Sequence, residues 1–65
     1  MNKLTGKIRI YPAQYSDRRE FRIFVDSTAV NFGYTIYSNY TYSTEYAAKR
    51  AARRVMQELK IIEDE

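Results

Sequence analysis

The chain has no cysteine, no histidine and no tryptophan, and only one proline and two glycines among its 65 residues. Without cysteine there is neither a disulfide nor a thiolate nucleophile. Without histidine as well, the zinc sites that staple many small domains are out of reach. Histidine's absence also removes the side chain that most often moves protons near neutral pH. The glycines, Gly6 and Gly33, stand alone and make no phosphate-cradling loop. No apolar run nears the roughly 20 residues of a membrane-spanning helix, and the first six residues lack the apolar stretch of a signal peptide. The expectation is a cytoplasmic protein with no metal, no cofactor and no membrane partner.

Length narrows the reading further. A chain of this size makes one domain and buries only about 60% of its unfolded surface. Stability must therefore come from packing, from local propensity, or from a partner, a second copy of the chain included. Catalysis is not expected. Outside the last three residues the acids are Asp17, Glu20, Asp26, Glu45 and Glu58. Only Glu20 and Asp26 share a strand face, roughly 20 Å apart, too far to act as one carboxylate pair. No residue is assigned a catalytic role.

What is present is charge and tyrosine. Eleven Lys and Arg face eight Asp and Glu, for a net charge of +3. Three of the acids are Glu63, Asp64 and Glu65, so the first 62 residues carry eleven basic against five acidic side chains, a net of +6. Such an acidic tail behind a basic body is expected to be a solvated end or a competitor for the basic surface. Seven tyrosines are present, and tyrosine gives a binding surface large contact area at low entropy cost.

The pattern predicts an α+β fold of order β-β-β-α, with strands at about 6–12, 20–26 and 32–42, a helix at about 44–62 and the acidic tail at 63–65. Ile8 and Ile10 alternate with Lys7, Arg9 and Tyr11. Phe21, Ile23 and Val25 alternate with Glu20, Arg22, Phe24 and Asp26, and Tyr34 and Ile36 alternate with Thr35 and Tyr37. Pro12 cannot donate to a ladder and should end its strand or mark an edge. Residues 13–19 are polar and read as a hairpin loop, residues 27–31 as a short connection, and residues 38–42 either continue the third strand or break into a loop. Ser43 or Thr44 offers a cap, Glu45 an acid in the first turn, and Ala48, Ala51, Ala52, Val55, Met56, Leu59 and Ile62 recur at helical spacing. One helix then covers one face of a three-stranded antiparallel sheet, with Tyr34 and Tyr46 completing the core.

One helix cannot cover both sides of a sheet. The bare side should display Lys7, Arg9, Tyr11, Arg22, Phe24, Thr35 and Tyr37. Cations attract phosphate and aromatic rings stack on bases, so this mixture suits nucleic acid. It also suits a protein interface, or simple cross-strand pairing of strand formers. Two further basic surfaces accompany it. Lys49, Arg50, Arg53, Arg54 and Lys60 line the outer side of the helix, where only Glu58 offsets them. Arg18 and Arg19 sit at the hairpin tip, placed to reach a phosphate backbone or an acidic partner.

Three strands followed by an alanine-rich helix, with the transition Tyr42, Ser43, Thr44, Glu45, Tyr46, Ala47, Ala48, resemble the small DNA-binding domains at the N-terminus of phage and transposon integrases. Plant AP2-type domains look similar in architecture. The resemblance spans residues 6–62 and implies that Arg9, Arg22, Phe24, Thr35 and Tyr37 read bases in the major groove. The chain also looks like the small proteins of phages and other mobile elements. The functional expectation is a non-enzymatic nucleic-acid-binding module, DNA favoured over RNA. The alternative is a small interaction protein, homo-oligomeric or docked as an inhibitor on a larger host enzyme or defence complex.

Overall fold

The computed structural model describes residues 4–27 and 32–64. Residues 28–31 of the expected connection and the tail residue Glu65 lie outside the described residues. The elements run β1 (Leu4–Pro12), β2 (Arg19–Ser27), β3 (Phe32–Tyr37), α1 (Glu45–Glu58) and β4 (Ile62–Glu63). They build a four-stranded mixed sheet of order β3-β2-β1-β4, with β1 and β2 antiparallel, β2 and β3 antiparallel, and β4 parallel to β1.

The β1–β2 register sets Gly6 against Val25, Ile8 against Ile23 and Ile10 against Phe21. The β2–β3 register adds Tyr34 beside Val25 and Ile36 beside Ile23. Because side chains alternate across a strand, these apolar positions share one face. Onto it α1 lays Ala48 and Ala52, both fully buried, and Met56, nearly so. Their spacing of four keeps them on one stripe, and the two methyl side chains let the helix axis approach the sheet closely. Phe21, Ile23, Val25 and Ile61 complete the buried core. Fully burying each large side chain in it is worth about 1.5–3 kcal/mol.

Helix α1 starts where the sequence places it. The Thr44 side-chain oxygen accepts from the Ala47 N–H at 3.0 Å, and Glu45 sits in the first turn. It ends earlier than its apolar period implies. Lys60 adopts φ 58°, the Lys60 N–H donates to the Gln57 carbonyl, and the Ile61 N–H donates to the Met56 carbonyl at 2.8 Å. That pair of bonds is a Schellman ending, built here on lysine rather than glycine. The chain then turns back to the sheet. Ile61 drops into the core, and the Asp64 N–H donates to the Gly6 carbonyl at 2.7 Å. The sheet therefore has a fourth strand. The acidic tail is tied rather than loosely solvated, since Glu63 lies in β4 and its carboxylate sits 3.2 Å from Arg53 Nε. Glu58 is thus not the only acid offsetting the helix cations.

The third strand is shorter than the expected 32–42. It stops at Tyr37; beyond it the Ser38 N–H still donates to the Phe21 carbonyl at 3.1 Å, and Tyr42 returns to the sheet through a bridge to Arg19. Tyr34 and Tyr46 are not core residues either, being 40% and 69% exposed. A helix is about 10 Å across and neighbouring strands lie about 4.8 Å apart, so one helix roofs about two strands. Helix α1 lies over β1 and β2 and meets β4, without close approach to β3.

Candidate functional site

The face opposite α1 is covered by no described element. Its side chains fall into rows set by the registers: Tyr11 and Glu20; Arg9, Arg22 and Tyr37; Lys7, Phe24 and Thr35; then Ile62, Thr5, Asp26 and Gly33. The seven residues expected to share this face do share it. Ile62, expected on the buried stripe of the helix, joins them and is 54% exposed. It arrives because the helix stops short and β4 pairs Ile62 with Thr5, whose side chain points the same way.

Arg22 is the centre of this surface. Its guanidinium carbon lies 4.4 Å from the centre of the Tyr11 ring and 5.3 Å from that of Tyr37. Tyr37 is its direct neighbour on β3, while Tyr11 reaches it diagonally from β1. Both rings are within the range of cation–π attraction, worth about 0.5–2 kcal/mol according to solvation. Arg22 Nε is buried and makes no hydrogen bond. The head is also 3.7 Å from a Glu20 carboxylate oxygen, a long, half-exposed pairing that contributes little. The outcome is a cation whose position is fixed by two aromatic rings. Arg9 and Lys7 project beside it into solvent, and Phe24 and Tyr37 stand 40% and 63% exposed. The acids Glu20 and Asp26 lie towards opposite ends of the face, leaving its middle cationic and aromatic.

The hairpin-tip arginines are not extended probes. Arg18 Nε donates to the Thr41 hydroxyl at 2.7 Å and its NH2 group to the Thr41 carbonyl at 2.8 Å. Arg19 bonds the carbonyls of Asp17 and Arg18. Arg18 thus tethers the loop after β3 to the β1–β2 hairpin, and its guanidinium is engaged within the fold. Of the helix cations, Arg53 is held by Glu63 and the Arg50 guanidinium lies 5.9 Å from the Tyr46 ring. Lys49 is exposed.

A second feature was not expected from the sequence. Because α1 leaves β3 unroofed, an open groove of about 850 Å³ runs between them. Phe21, Ile36, Tyr42, Ala51 and Val55 give it an apolar floor, and the exposed Tyr40, Tyr46, Arg50 and Arg54 line it further out. The available signal is the spacing of Tyr46, Arg50 and Arg54, four residues apart on one side of the helix. Among the described residues no acidic cluster could hold a metal ion, and no helix is long and apolar enough to cross a membrane. None of the family models, curated proteins or solved structures compared with the chain matches it.

Proposed function

We propose that the chain is a non-enzymatic nucleic-acid-binding module, DNA before RNA, whose contact surface is the open sheet face. The observation that carries this reading is the Arg22 guanidinium seated between Tyr11 and Tyr37 on a face no described element covers. A cation fixed by packing loses little side-chain freedom on meeting a phosphate. Arg9 and Lys7 extend the phosphate contacts, and exposed Phe24 and Tyr37 offer rings for base stacking or groove packing.

Fluorescence anisotropy with labelled single-stranded DNA, duplex DNA and RNA, titrated across salt, tests it. Tyr37→Ala should weaken binding about 5- to 150-fold, the range of one lost stacking contact, with little change in salt dependence. Arg9→Ala should lower the log–log salt slope by about 0.7–0.9, the loss of one phosphate contact. The reading fails if no nucleic acid binds at low salt, or if both variants bind as the parent does. A tight protein partner lost on changing Phe24 or Tyr37, with no nucleic acid bound, would favour the interaction-protein reading instead.

A further inference from the structure

The edge of the sheet at β3 has the character of a pairing surface. The Ser38 N–H donates to the Phe21 carbonyl at 3.1 Å, which fixes the parity of the ladder. Tyr34 and Ile36 direct their backbone groups to β2, whereas Gly33, Thr35 and Tyr37 turn theirs outward. Natural edges are blunted by lysine, proline, bulges or a covering element. The opposite edge has such devices: β4 occupies Gly6, Pro12 closes the strand, and Lys7 and Arg9 flank it. In β3, Phe-Gly-Tyr-Thr-Ile-Tyr, there is no charge and no proline.

This strand is complementary to itself. Laid antiparallel on a second copy about Thr35, it sets Thr35 against Thr35, Gly33 against Tyr37 and Tyr34 against Ile36. Thr–Thr and aromatic–β-branched pairs are favourable cross-strand neighbours, and an aromatic ring over a glycine repairs the weakness of that position. The outward groups of residues 33, 35 and 37 match in this register and give about six hydrogen bonds. Tyr34, Tyr37, Tyr40 and Tyr46, exposed by 40%, 63%, 73% and 69%, lie on or beside this edge on both faces of the sheet. They offer on the order of 500 Å² of tyrosine surface towards the roughly 800 Å² that each partner buries in a standard interface.

We propose that the chain forms a two-fold dimer by antiparallel β3–β3 pairing centred on Thr35, joining two sheets into one of eight strands. An isologous pairing of this kind closes on itself and satisfies both edges at once. It stands independently of nucleic-acid binding.

Sedimentation equilibrium of the purified full chain, from about 1 μM to 1 mM and without nucleic acid, tests it, micromolar to millimolar being the range of modest interfaces. The expected result is a concentration-dependent shift from 7.8 kDa to twice that mass. Thr35→Pro removes an outward N–H that no bond within the described fold uses, so it should fold yet raise the dimer dissociation constant at least ~10-fold. Thr35→Lys and Thr35→Glu place like charges across the two-fold axis. Each should be monomeric alone, and the two mixed should pair one to one. This charge exchange holds the test open if the proline variant fails to fold. A parent that stays monomeric at 1 mM overturns the proposal. So does a dimer indifferent to all three changes, or one lost instead with Phe24→Ala.

Discussion

Gly6 is placed for its lack of a side chain rather than for its backbone conformation. Neither glycine has a positive φ, but a methyl group added at Gly6 would stand 2.8 Å from Ile61 Cγ2, 2.9 Å from Met56 Cε and 3.2 Å from Ile23 Cγ2. Carbon atoms prefer about 3.5–4.0 Å. The Met56 methyl can swing away. Ile23 is fully buried, and Ile61 is fixed from both sides by the Schellman bond to Met56 and the strand that follows. Gly6→Ala should therefore overpack the junction of helix end, β1 and β4. Overpacking costs about 1–3 kcal/mol. Stiffening of the unfolded chain by alanine returns about 0.4–1 kcal/mol. The net expectation is a loss of about 1–2 kcal/mol, with the melting temperature lowered by roughly 5–15 °C for a domain of this size. Thermal and urea unfolding followed by circular dichroism, at one fixed protein concentration, measure it. Amide exchange at Asp64 should rise along with the destabilisation, because its bond to Gly6 depends on the same junction. Adding Met56→Leu, which removes the terminal methyl, should recover part of the loss and give a less-than-additive cycle. A Gly6→Ala protein melting at or above the parent temperature would show that the junction is loose and the spatial reasoning mistaken.

Two helix-end changes complete the set. Lys60→Gly should stabilise by about 0.5–1 kcal/mol, since lysine bears a left-handed conformation that glycine adopts without penalty; an unchanged urea midpoint would count against the strain. Thr44→Ala should cost about 1 kcal/mol through loss of the cap to the Ala47 N–H, and an unaffected midpoint there would mean that solvent replaces the hydroxyl fully.

The strand faces were legible because alternation carries both a partner and a side. Once Ile8 and Ile23 are read as inward, Arg9 and Arg22 must lie together outside. The helix start was legible through Thr44 and Glu45. Its end was hidden because Leu59 and Ile62 continue the helical period, while the residue that breaks it, Lys60, has no special propensity for doing so. The reversal answers to the burial of Ile61, a contact between chain ends that a local pattern cannot display. Composition leaves residues 38–42 open between strand and loop, and what decides is distant in sequence: Arg18 fastens to Thr41 across 23 positions, and Tyr42 bridges to Arg19. The misplacement of Tyr34 and Tyr46 was one of width. Their faces follow from periodicity, but how far a helix reaches sideways over a sheet is not written in it.

The pairing of Thr5 with Ile62, and of Gly6 with the residue just before Asp64, brings the two described ends of the chain to the same corner. That corner lies at the side of the sheet remote from β3. Whatever precedes Leu4 or follows Asp64 departs from the border opposite the β3 edge and its groove. The same adjacency allows the ends to be joined by a short linker and new ends to be opened in residues 14–17. A circularly permuted chain of that kind would keep every strand neighbour while turning the β1–β2 hairpin into the pairing most distant in sequence.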